Sequence, residues 1–181
     1  MQLALRGVQV IRGIPDERVV FVAFLADGTL VLALEEWVNI YASPRSGDSA
    51  DWRAPGEVVA MERARDGRSV SVAAYGGAAF RLWLDGDSVA SETLSPVEAP
   101  LRAPVRALQR IGCRPIVIDR GVHLHEPGAE RRARLLGEYD RLLAATDDGV
   151  TIVFERHGHV LIGDVDESLL EWVEAPLAAG R

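Results

Sequence analysis

Four histidines fall into two pairs, His123-Leu124-His125 followed by Glu126, and His157-Gly158-His159. On a β-strand, residues two apart share a face. His123 and His125 would then present two imidazoles together, a donor set that suits zinc, iron or nickel. His157 and His159 offer two more ligands, but Gly158 between them marks a turn, which takes that pair off a shared face. The reading preferred is therefore structural histidines and no resident metal. A small metal-dependent enzyme using His123 and His125 is the alternative.

Other reactive side chains are less suggestive. Glu35, Glu36, Asp147, Asp148, Asp164 and Asp166 sit in expected turns or loops. Paired acids work as acid and base only when their surroundings push their pKa values apart. Solvated turn residues are the simpler account. The sequence contains no Gly-x-Ser-x-Gly elbow, P-loop or GxGxxG fingerprint. Cys113, the single cysteine, cannot form an intrachain disulfide and has no adjacent base to activate it. It reads as a small apolar core residue. No catalytic, cofactor or metal site is expected. Trp37, Trp52, Trp83 and Trp172 remain as core or interface aromatics. Trp83 is assigned to packing, and Trp52 and Trp172, flanked by charges, to exposed anchors of the kind that dominate interfaces.

The chain has 181 residues, 48% hydrophobic and 26% charged, enough for one domain with a real core. Its net charge is -7, from 20 basic and 27 acidic side chains. Such a balance repels a phosphate backbone, and Arg131, Arg132 and Arg134 form the one basic cluster, so no nucleic-acid partner is expected. Every basic residue is arginine, which fits a GC-rich, bacterial coding genome. The apolar run Val19 to Leu25 has seven residues, eight with Ala26, far short of the roughly 20 that cross a bilayer. The first residues lack the apolar core of a signal peptide. The expectation is a cytoplasmic protein that does not engage a membrane.

The elements that would position these residues read as strands. Leu3 to Ile14 is one, ended by Pro15. Val19 to Leu25 leads to Asp27-Gly28, a tight-turn dipeptide. Thr29 to Leu34, Trp37 to Ala42 and Asp51 to Arg53 follow. Val58 to Met61 leads to a second such turn, Asp66-Gly67. Val70, Val72 and Ala74 then alternate with Ser69, Ser71 and Ala73, as in a half-buried strand. Gly76-Gly77 turns the chain into Ala79 to Leu84. Val105 to Ile111, Pro115 to Asp119 and Gly121 to Glu126 fit a third set. Residues 129–145 contain many helix formers, but Gly137 interrupts them. Strands near 134–136 and 141–145 are preferred there, with Asp148-Gly149 turning into Val150 to Phe154. Residues 166–174 fit either a short helix capped by Asp166 or a last outer strand.

Tyr41, Trp83 and His125 each end a strand-like segment, 42 residues apart each time. A recurrence of this length indicates a repeat architecture. The stretch Arg65 to Trp83, with its Asp66-Gly67 turn and terminal tryptophan, resembles a blade of the WD-repeat family, as does Leu142 to Phe154. The resemblance spans about residues 19–165. It implies that Trp83 and Phe154, with Tyr41 and His125 in the equivalent place, are the third-strand aromatics that pack between blades. No Gly-His dipeptide opens a unit, Leu84 stands where the aspartate of the WD pair would be, and the spacing drops to 29 between His125 and Phe154. A divergent propeller-like array is indicated rather than an orthodox family member.

The expected fold is thus all-β, a propeller-like array of three to four antiparallel β-units with room for one or two short helices in the C-terminal third. A single domain over 1–181 would hold units near 19–55, 57–100, 104–137 and 138–176. The resemblance implies a non-enzymatic protein–protein interaction module, a scaffold or accessory subunit of a bacterial multiprotein assembly whose partners could include an ATPase. Leu3 to Ile14 offers an edge for self-association. An immunity or inhibitor protein for a basic target is the remaining alternative, since acidic charge would steer toward it.

Overall fold

The computed structural model describes residues 5–13, 18–96, 98–100, 114–118, 121–125, 131–134, 141–146, 150–165 and 172–174, with the backbone alone at 12–13, 114–134, 141–142 and 172–174. Among them, sixteen strands form four sheets of four strands. The first sheet runs in sequence order through β2 (Phe21–Phe24), β3 (Leu30–Ala33), β4 (Trp37–Tyr41) and β5 (Ala50–Arg53). The second does likewise through β6 (Val58–Arg63), β7 (Val70–Ala74), β8 (Ala79–Asp85) and β9 (Ser88–Thr93). All neighbours in these two sheets pair antiparallel. The chain is therefore all-β, and each of these units is a meander of blade type.

Contacts divide the chain into two compact units, residues 11–106 and residues 1–10 with 107–181. In the unit of 11–106, β2 adjoins β6 and β5 adjoins β9, so the two meanders lie side by side, first strand to first and last to last. One core joins them: Val31, Ala33, Val38 and Ile40 from one sheet meet Val58, Val70, Val72 and Leu82 from the other. A meander has two apolar faces and too few strands to cover either, so stacking is what removes them from water. The continuous run Leu30 to Leu34 is wholly buried, as a strand covered on both faces requires.

The other unit departs from a simple series. Its strands are β10 (Arg114–Ile118), β11 (Gly121–His125), β12 (Arg131–Arg134), β13 (Arg141–Ala145), β14 (Thr151–Arg156), β15 (His159–Val165) and β16 (Trp172–Glu174), with β1 (Leu5–Gly13). One sheet has the order β10-β11-β12-β16 and the other β1-β15-β14-β13. The N-terminal strand is thus the end strand of its sheet, hydrogen-bonded to β15 along one edge, and the C-terminal strand pairs with β12. Strand β16 falls within the expected unit 138–176 and pairs with β12 of the expected unit 104–137.

Sequence expectations at residues 129–145 and 166–174 resolve toward strands where the chain is described. Arg141–Ala145 is β13, and the outer strand is Arg131–Arg134, a few residues before the expected 134–136. No helix occurs among the described residues. Leu143 and Ala144 are buried beside β14, so sheet pairing and burial outweigh the helix propensity of this stretch. The strand expected at Val105 to Ile111 lies outside the described residues, as do Cys113, Asp147, Asp148 and Asp166. Strand β9 was missed: Ser88-Val89-Ala90-Ser91-Glu92-Thr93 shows only weak alternation, and the Asp85-Gly86 before it is the signal that could have revealed it.

Candidate functional site

The aromatic recurrence is only partly structural. Tyr41 and Trp83 do lie on third strands, β4 and β8. Each follows a residue of the shared core, Ile40 and Leu82, so the pleat turns both away from that core. The aromatic contact between the two sheets is instead Trp52 against Phe80, ring centroids 5.1 Å apart and tilted by 59°. Trp52 is half-buried in this contact and is not the exposed anchor expected of it. In the other unit, His125 lies on β11 and Phe154 on β14.

Of the four candidate histidines, the side chains of His157 and His159 are described. His157, at φ 50°, and Gly158 form the turn between β14 and β15, and His157 and His159 are exposed. His123 and His125 lie on β11, in register with Arg134 and Arg132 of β12. Among the described residues no group of three or more His, Cys, Asp or Glu converges on a common point. Asp164 lies within β15 rather than in a turn, and accepts a hydrogen bond from the Thr151 hydroxyl at 2.8 Å.

Two surfaces of the unit of 11–106 carry most of the polar detail. At one end, the β2–β3 and β6–β7 turns touch: the Ala26 amide donates to the Gly67 carbonyl at 2.7 Å. Both are Asx turns. The Asp27 carboxylate accepts from the Thr29 amide, and Asp66 from the Arg68 amide, at 2.9 Å each. The Arg68 amide and the Ser69 hydroxyl hold the Asp66 carboxyl below its ordinary value, with desolvation working against them. A carboxylate depressed in this way stabilises the fold above its ordinary pKa, and the contribution is lost as pH falls through the depressed value. A cleft of about 830 Å³ opens here between the sheets, lined in part by Thr29, Ala42, Arg68, Arg81 and Trp83. Arg81 is drawn to Glu92 on the neighbouring strand, 2.7 Å away. Its acids are engaged in turns, so the cleft offers shape and hydrogen bonding rather than a reactive pair.

The opposite end combines the β3–β4 turn, the β5–β6 connection and the β7–β8 turn. Backbone bonds tie them together: Val58 to Glu35 at 2.7 Å, Ala54 to Glu36 at 2.8 Å and Tyr75 to Glu57 at 2.7 Å, amide donating to carbonyl each time. The Gly76-Gly77 pair, at φ 97° and 91°, makes the tight bend that leaves Tyr75 outermost. Trp37 is 37% exposed and Tyr75 74% exposed. A depression of about 320 Å³ is lined by Glu35, Glu36, Trp37 and Glu57. The Arg53 guanidinium lies 5.7 Å from the centroid of the Trp37 ring and 3.2 Å from a Glu36 carboxylate oxygen. Of the four tryptophans, Trp37 is the exposed one among those whose side chains are described.

Strand order defines the class: an all-β chain of four-stranded antiparallel sheets, two of them stacked meanders of the kind that serve as propeller blades. No known family profile matches the chain, and no curated protein does. Among solved structures, a chain of the mitotic checkpoint complex is similar at 16% identity, TM-score 0.39, over 94% of this chain and 54% of that one. The Cps50 (Swd1) β-propeller domain of Myceliophteria thermophila is similar at 11% identity, TM-score 0.36, over 82% and 51%. A protein provisionally assigned as a gluconolactonase is similar at 15% identity, TM-score 0.32, over 90% and 63%. This chain spans less than two thirds of the length of each. With scores this low, the fold class rests on the strand order of the chain itself.

Proposed function

We propose that this chain is a non-enzymatic protein-interaction module, an accessory or scaffold subunit of a cytoplasmic bacterial assembly. One observation carries the reading: Trp37, at the start of β4, and Tyr75, in the β7–β8 turn, stand exposed where the backbone locks the connections together at one end of two stacked sheets. Aromatic side chains held out on rigid turns lose little freedom when covered, which is why they anchor interfaces. The all-arginine basic set and the absence of a helix long and apolar enough to cross a membrane among the described residues accord with this setting. Self-association through β1 is less favoured, since β15 occupies one of its edges. The metal-enzyme alternative is disfavoured by the cationic positions, Arg134 and Arg132, that face His123 and His125 in register. Stoichiometric metal in elemental analysis of the purified protein would restore it.

The test is affinity purification of the tagged full chain from its native host at physiological expression, with crosslinking and identification of copurifying chains. A reproducible, stoichiometric protein partner is expected. Recovery as a lone monomer would remove the proposal. A single basic toxin as partner would select the inhibitor form of it.

A further inference from the structure

Resting on the reading of an interaction module, we infer that the Trp37–Tyr75 end receives an arginine-bearing segment of the partner protein. The end already holds one guanidinium. Arg53 lies over the Trp37 ring and pairs with Glu36, which displays the two contacts, π-face and carboxylate, that an incoming arginine would seek. Arg53 uses only one of the three carboxylates at this end. Among the described residues, Glu35 and Glu57 are exposed and have no ion-pair partner, and both line the same depression as Trp37. Three carboxylates therefore line the depression and one of them is paired with Arg53, on a chain whose net charge is -7. The backbone bond from Tyr75 to Glu57 fixes a second exposed aromatic beside this site.

These features favour a cationic protein segment and disfavour a nucleic acid or an anionic lipid surface, which the same carboxylates would repel. An arginine fits better than a lysine because its flat guanidinium can lie on an aromatic ring while its edge meets a carboxylate. The partner segment would cross the depression with one arginine on the exposed Tyr75 ring, its edge toward Glu57, and a neighbouring cationic side chain toward Glu35.

The probe is a capped twelve-residue peptide with four arginines spaced by Gly and Ser, titrated into the intact protein. Matched peptides carry lysine or glutamine instead. Tryptophan fluorescence and calorimetry read the binding. The arginine peptide should bind more tightly than the lysine peptide, and the glutamine peptide should not bind. Glu35→Gln with Glu57→Gln should weaken binding roughly ten-fold, the sum expected for two exposed charge contacts. Asp48→Asn with Asp87→Asn, at exposed positions of the opposite end, should leave it unchanged. Equal loss in both double variants, or indifference to the first, would overturn the site. If the glutamate variant still copurifies with the native partner, the module stands and this site falls. If the wild-type chain has no partner, the module itself falls.

Discussion

Gly67 and Gly28 occupy corresponding turns, yet their surroundings differ. Both have positive φ, +69° and +87°, so an added Cβ would cost about 1–2 kcal/mol at either. At Gly28 that Cβ would meet nothing within 4 Å, whereas at Gly67 it would lie 2.9 Å from the Ala26 Cβ. Gly67 sits where the two Asx turns touch, and Ala26 is too short to move aside. Gly67→Ala should therefore lower the urea midpoint clearly more than Gly28→Ala. Equal shifts in the two denaturation curves would show that the turns do not meet. The Asp-Gly dipeptides were readable as turns, but their mutual contact was not, because it joins residues 41 positions apart.

At the level of elements, the two meanders are held by facing strands with no chain connection across most of their contact. Val38 pairs with Trp52 across β4 and β5, and Val72 with Phe80 across β7 and β8. Trp52 and Phe80 then close the seam as a tilted ring pair. A double-mutant cycle with Trp52→Ala and Phe80→Ala should show a coupling of about 1 kcal/mol. A coupling near zero would mean that the two sheets do not share this contact in solution. The sequence assigned Trp83 to packing between neighbouring units without choosing the neighbour. Parity along the strand places it on the face away from this seam. Leu82 and Leu84 both pack toward the core, and the residue between them must point to the other face. Reading parity requires knowing which neighbours are buried together, and periodicity in one strand does not supply that.

On the scale of the whole molecule, both ends of the chain are used to complete sheets that other segments begin. Strand β1 lies along β15, close enough that a Cβ on Gly163 would come within 3.2 Å of the Val8 side chain. Removing residues 1–13 should strip β15 of its pairing partner and uncover the surface that Leu5 and Val8 cover beside Gly163, adding apolar strand surface for association. Light scattering should then show larger species than the intact chain gives at equal concentration. A truncated chain that scatters like the intact one would argue that β1 contributes little to covering that surface. The sequence alone determined most of the strands and the Asp-Gly turns, because alternation and turn chemistry act over a few residues. Only the tertiary structure decided that β1 joins β15, that β16 joins β12, and that Trp37 rather than Trp52 faces water. Those outcomes depend on pairing between segments distant along the chain, where many registers satisfy the local pattern and burial of the remaining edges selects among them.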